Sequence, residues 1–314
     1  MIAATRLALG DIEATLLPAQ GMLCASLTHQ GVEVLRHIDD LDVAAATGGT
    51  AGIPLLHPWA NRLPGTRYRA AGHDVVLDPS LAANATANLV AAEPIIPINP
   101  PEVWGCGCTY ETSASFRDAE HGTREGMYAH VYREARPEVF FKGTARHCVG
   151  TGDSIGIRPD SKFTAPEPEL AIVLGPGHRI FGLTLANDVS AWDIERENAL
   201  YLTQSKVYDR CCAIGPVILT LDDVADPYNL HMTCTVTRNG GTLYHGEVNT
   251  AKLHRKLETL VEYLTRANRV PTGTVLLTGT GIIVPQEAAL ASGDTVTISV
   301  PEIGNLINSV TVVN

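Results

Sequence analysis

Three acidic residues offer the first chemistry. Glu167 and Glu169 lie two positions apart at the head of the apolar run Leu170–Leu174, and Asp188 closes a second apolar run that begins at Ile180. Pro176-Gly177 lies between the runs and predicts a hairpin. Side chains alternate along a strand, so Glu167 and Glu169 share a face, and the hairpin returns Asp188 to their side. Carboxylates packed together beside apolar residues repel one another and are costly to bury without a cation. Three hard oxygen donors with no Cys or His among them suit Mg²⁺ or Mn²⁺ better than zinc. The plainer reading puts both glutamates on a solvated strand face, with Asp188 as a turn or N-cap residue. The ordered motifs further down the chain favour the metal.

Other reactive groups flank this hairpin. Glu138 opens the apolar strand Glu138-Val-Phe-Phe-Lys142, and Lys142, four positions on, faces the same side. Glu138 has the chemistry of a general base for a carbon acid, or it forms a strand-edge ion pair with Lys142 or Arg136. Gly273–Gly281 reads as a buried strand running into the turn Thr278-Gly279-Thr280-Gly281, whose amides could cradle an anion. It is neither a Walker loop nor a dinucleotide fingerprint. A substrate carboxylate held at Gly279 and Thr280 fits it better. Lys142 and Tyr110, the latter at the end of a glycine-punctuated strand, are further candidate substrate contacts.

Several of these stretches carry a resemblance. Glu167-Pro-Glu169-Leu-Ala, Asn187-Asp188-Val-Ser190, Asp193-Ile-Glu195, Glu197-Asn-Ala-Leu-Tyr201, Gln204-Ser-Lys206-Val-Tyr-Asp209, Leu277–Gly281 and Ile303–Leu306 resemble the fumarylacetoacetate hydrolase family over about residues 93–314. The Glu-Asn-x-Leu-Tyr and Lys-Val-Tyr-Asp wording is most similar to its 2-keto-3-deoxy-sugar-acid dehydratase branch. The resemblance implies a β-roll catalytic domain, a mobile lid over Glu111–Tyr132, and Lys206 beside metal and substrate. It also implies a 2-keto acid chelated by Mg²⁺ or Mn²⁺. Glu138 would take the C3 proton, Lys206 would steady the enolate or the departing oxygen, and Thr280 would hold the carboxylate. A C4 hydroxyl then gives dehydration of a 2-keto-3-deoxy-pentonate to 2,5-dioxopentanoate. Acylpyruvate hydrolysis, oxaloacetate decarboxylation and an inactive metal-binding homologue are the alternatives. The chain departs from the pattern at Trp192, where the family usually has Arg, and at Thr203, where the branch favours Pro.

The elements that must position these groups read as mainly β with few helices. Residues 1–92 form short strands, Ile12–Leu17, Met22–Thr28 and Val32–Leu35, in a small β-rich domain. Their stretch containing His57, Asn61 and Arg62 resembles the beginning of aldose 1-epimerases. The proline-stiffened segment Glu93–Pro101 marks the boundary to a catalytic domain at 93–314. Ser190-Ala-Trp-Asp193 reads as a capping box opening a short helix, and residues 249–264 read as one amphipathic helix. Glu111–Tyr132 is charged and interrupted by Gly122 and Gly126, which argues against one long helix.

Composition narrows the partners. A net charge of −11 argues against nucleic acid and anionic membranes. No apolar run reaches the ~18 residues a spanning helix needs, and the N-terminus lacks a signal-peptide pattern. Seven scattered cysteines argue against a disulfide framework and for a reducing cytoplasm. The expected protein is a cytoplasmic homo-oligomer, dimer or tetramer, acting on a small 2-keto acid.

Overall fold

The predicted hairpin is the centre of the fold. In the computed structural model, which describes residues 5–17, 23–33, 53–54, 67–70, 73–76, 95–120 and 126–314, Pro168–Leu174 pairs antiparallel with Ile180–Asp188 across a short turn, Pro176–His178. Every residue of Pro168–Leu174 is buried. That is the environment of a central strand covered on both sides, and it explains the unbroken apolar run.

Seven strands form this sheet, in the order Cys148–Val149, Cys212–Thr220, Ile180–Asp188, Pro168–Leu174, Val275–Leu277, Val103–Gly107 and Glu138–Gly143. Alternation sorts its residues. Leu170, Ile172 and Leu174 join one apolar core with Leu183 and Leu185, while Ala171 and Val173 join another with Ala186, Tyr208 and Ile214. By the same parity Glu167, Glu169 and Asp188 belong to the second face. The first core is shared with a five-stranded sheet, Ser154–Ile157, Gly304–Val312, Thr295–Val300, His231–Arg238 and Gly241–Asn249.

The described contacts divide the chain into two units, Met1–Ala92 and Glu93–Asn314. In the first, Thr5–Leu9, Ile12–Leu17, Leu23–His29 and Val32–Glu33 form an antiparallel meander, with Ile53–Pro54 added to the third strand. Arg67–Ala70 and His73–Val76 form a separate hairpin. His57, Asn61 and Arg62 lie outside the described residues.

Helices follow their sequence signals in one place and depart from them in another. The charged segment forms two helices, Glu111–Glu120 and Met127–Arg133. The amphipathic pattern over 249–264 yields a helix only at Leu257–Thr265, which buries Leu257, Leu260, Val261 and Leu264. Its first half is claimed by tertiary contacts. His254 donates its amide to Thr109, and Arg255 donates to the carbonyls of Val131, Tyr132, Glu134 and Ala135. The guanidinium thereby ties off the C-terminal end of the Met127–Arg133 helix, where carbonyls lack intrahelical partners. No helix among the described residues is long and apolar enough to cross a membrane.

Candidate metal and substrate site

The hairpin ends hold the three carboxylates together. The Asp188 amide donates to the Glu167 carbonyl at 2.9 Å, and the Glu167 amide donates to Asn187 Oδ1 at 3.1 Å. One carboxylate oxygen from each of Glu167, Glu169 and Asp188 lies within 4.8 Å of the others. Each of the three is at most 2% exposed.

Two buried lysines balance part of this charge. Lys206, at the end of the helix Leu202–Lys206, donates to Glu167 Oε1 at 2.8 Å, Asp188 Oδ2 at 3.0 Å and Ser190 Oγ at 2.6 Å. Lys142 Nζ lies 2.5 Å from Asp188 Oδ1 and donates to the Val189 carbonyl at 2.9 Å. Burial disfavours the Lys142 ammonium most, but the charges of Asp188, Cys211 and Cys212 and the hydrogen bond to Asp188 together outweigh it, and the net shift is upward. Fully ionised, the three carboxylates would outnumber the two ammonium groups by one negative charge. Burial, with Asp188 and Glu167 alongside, pushes the Glu169 carboxyl well above the usual carboxylate range, against the pull of the Gly279 amide and Lys206. The cluster therefore has the hard oxygen donors and the charge deficit that fit a divalent cation.

Lys142 and the Gly279–Thr280 turn make these contacts within the protein. Lys142 is fully buried and pairs with Asp188, a candidate ligand. It is the extra residue where the register with Val103–Gly107 shifts; such a bulge turns a side chain out of the strand's regular alternation. Gly279 donates its amide to Glu169 Oε2 at 2.5 Å, so it orients a carboxylate of the protein. Its φ of +94° suits glycine, and a Cβ there would meet Thr109 Oγ1 at 1.9 Å. The Thr280 hydroxyl serves its own turn, donating to the Ile282 carbonyl at 3.1 Å and accepting the Ile282 amide at 3.2 Å. Tyr110 is buried near Glu169; burial first, then that carboxylate, pushes its phenol upward.

Glu138 lies over the neighbouring strand. Its carboxylate crosses Gly107, where a Cβ would come 1.9 Å from Oε2. Cys108 Sγ lies 3.6 Å from the same Oε2, and burial, then Glu169 and Glu138, push the Cys106 thiol well up. Glu138 also lines a cavity of 340 Å³ with Met127, Tyr128, Val131, Glu195 and Leu202. Leu202 and Lys206 are one helical turn apart on the same helix, so the cavity neighbours the carboxylate cluster.

The sequence reading missed what Ser190 and Asp193 do. The helix Trp192–Glu197 has no side-chain cap. Ser190 Oγ instead accepts from Lys206 and donates to the Asp188 carbonyl at 2.8 Å. Asp193 accepts from Ser161 Oγ and the Lys162 amide. A second signal was present as an oddity: Trp192, noted only as a departure, donates its indole N–H to Glu167 Oε1 at 2.6 Å.

Comparison with known proteins places this geometry. The chain is 46% identical over 217 residues to a 2-dehydro-3-deoxy-D-arabinonate dehydratase of Saccharolobus solfataricus, covering 68% of this chain and 73% of that protein. It is also 46% identical over 240 residues to a probable 2-keto-3-deoxyxylonate dehydratase of Haloferax volcanii, covering 76% and 79%. A solved 2-keto-3-deoxy-D-arabinonate dehydratase, complexed with magnesium and 2,5-dioxopentanoate, superposes with a TM-score of 0.65 at 33% identity, covering 99% of this chain and 95% of that one. The fold is that of these dehydratases, mostly β with few helices. The similarity of residues 1–92 to aldose 1-epimerases finds no support in these comparisons. Residues 113–311 match the fumarylacetoacetate (FAA) hydrolase C-terminal family, and with the matched stretch spanning more than half of its length, the chain belongs to the fumarylacetoacetate hydrolase family.

Proposed function

We propose that this chain is a Mg²⁺-dependent dehydratase that removes water from a 2-keto-3-deoxy-pentonate, such as 2-dehydro-3-deoxy-D-arabinonate, to give 2,5-dioxopentanoate. The observation that carries the reading is the buried Glu167–Glu169–Asp188 cluster beside a cavity lined by Glu138. Similarity to dehydratases of this substrate class supports the choice of reaction.

Glu167, Glu169 and Asp188 would hold the ion. When bound, a divalent cation supplies a Lewis acid for the carboxylate and 2-keto oxygens of the substrate, which acidifies the C3 protons. Glu138 is the proposed base for a C3 proton, with its carboxylate over Gly107, 3.6 Å from Cys108 Sγ, and lining the cavity. Lys206, already in contact with two of the three ligand carboxylates, is the cation placed to steady developing negative charge on oxygen. The C4 hydroxyl leaves and takes up one proton, so one water is lost. A proton then moves from C5 to C3, leaving a C4–C5 enol, and the O5 hydroxyl proton moves to C4, which gives the dioxo acid. Lys142 and the Gly279 amide act behind the ligands, fixing Asp188 and Glu169. We further propose that the protein works as a homo-oligomer in the cytoplasm; the free thiols of six of the seven cysteines support a reducing compartment.

The test is incubation of purified protein with Mg²⁺ and 2-keto-3-deoxy-pentonate, reading formation of a semialdehyde. Turnover of an acylpyruvate without any semialdehyde would overturn dehydration in favour of C–C bond hydrolysis.

A further inference from the structure

Trp192 stands where the family resemblance leads one to expect arginine, and its surroundings give the change a purpose. Its indole N–H donates to Glu167 Oε1, and Lys206 donates to the same oxygen. Two donors on Oε1 fix the orientation of the Glu167 carboxylate. An arginine at this place would bring a second donor together with a full positive charge. The indole brings the donor alone and adds no positive charge to repel a dication.

The ring itself is gripped on several sides. It is 4% exposed, with Phe163 edge-on at 5.4 Å and Phe116 tilted at 5.7 Å. The Arg196 guanidinium lies 5.6 Å from its centre and 4.8 Å from that of Phe163. Phe116 belongs to the helix Glu111–Glu120. The indole therefore touches a candidate metal ligand at its polar end and that helix along its ring.

We propose that Trp192 is a positioning residue for the cation: it sets the orientation of the Glu167 carboxylate toward the ion and ties the Glu111–Glu120 helix to that setting. The proposal rests on the metal reading above. Removing a neighbour that orients a ligand characteristically weakens metal binding about 10-fold or more. The experiment is calorimetric titration of Mn²⁺ and Mg²⁺ into the wild type and Trp192→Phe, which keeps a ring and deletes the N–H. The expected result is a Kd raised about 10-fold, with the melting temperature in chelator little changed. A second measurement leaves Trp192 intact. In a Trp59→Phe, Trp104→Phe double variant Trp192 is the sole tryptophan, and its emission should change saturably with the calorimetric midpoint. A wild-type Kd in Trp192→Phe, or flat emission while calorimetry records binding, overturns the assignment of Trp192. No binding of either ion to the wild type overturns the metal reading itself.

Discussion

Replacing Lys142 by methionine tests the charge balance of the site. The change removes a cation and keeps an unbranched side chain of similar length. Lys142 is 0% exposed, and its ammonium lies 2.5 Å from Asp188. Removing one partner of a buried ion pair costs roughly 3–5 kcal/mol, because the remaining charge stays buried. Lys206 still reaches the other Asp188 oxygen at 3.0 Å, so the lower end, about 3 kcal/mol, applies. For a unit the size of Glu93–Asn314, that loss lowers Tm by roughly 6–12 °C. The same substitution leaves three carboxylates facing one ammonium, so the cluster gains attraction for a dication. Thermal melts in chelator and in saturating Mg²⁺ read both effects. Binding at about 100 times Kd adds about 2.7 kcal/mol, so Lys142→Met should recover much of its loss in Mg²⁺ and gain more from it than the wild type does. A variant that melts within about 2 °C of the wild type in chelator, or gains no more from Mg²⁺, refutes the reasoning.

Three further outcomes follow from the geometry. Glu138→Gln should lower kcat about 10²–10⁴-fold while leaving Mg²⁺ affinity and Tm near wild type; steady-state kinetics with calorimetry decides, and an unchanged kcat removes Glu138 as the base. Gly279→Ala should cost roughly 2–5 kcal/mol from backbone strain and the approach to Thr109, and should weaken Mn²⁺ binding by displacing the amide from Glu169; a melt and a titration close to wild type would contradict it. Asp294 accepts from Arg238 Nε and Nη2 at 2.7 Å each and from the Ala291 amide at 2.8 Å. Burial alone would raise its carboxyl, but these bonds outweigh it and the net shift is downward. Its charged form therefore stabilises the fold above the unfolded value near 3.9, and that contribution is lost as pH falls through the lower folded value. In urea melts, the stability difference between wild type and Asp294→Asn should be constant above about pH 5 and shrink below about pH 4; a difference that grows on acidification would reverse the assignment.

Local pattern told most where one strand or one hairpin decided the outcome. The Pro168–Leu174 run, the turn after it and the period-two spacing of Glu167 and Glu169 were legible, because a hairpin's register follows from its own residues. The break in the charged segment before Met127 was legible for the same reason. What escaped depends on groups distant in sequence. Residues 249–256 have helical periodicity, yet Arg255 is drawn to carbonyls some 120 positions earlier. Ser190 has the chemistry of a cap, but Lys206 and the Asp188 carbonyl occupy its hydroxyl. Lys142 shares strand spacing with Glu138, and its pairing with Asp188 depends on the bulge and on a strand it does not belong to. Thr280 lies in a turn of the right shape, but that turn satisfies its hydroxyl. Propensity describes what a segment can do alone; these cases were settled by partners it does not contain.

The parity of the central hairpin limits how the chain can change length. An even number of residues added within Leu170–Leu174 would stretch the sheet yet return the acidic trio to the same side. A single added residue would swing Glu167 and Glu169 through to the opposite layer, into the space of Leu170 and Ile172, and strand both lysines without partners. The reversal at Pro176–His178 is free of that arithmetic, because it lies beyond the paired ladder's far end from the acids. Length variation in related chains should therefore gather at that tip and avoid the rungs between it and the ion.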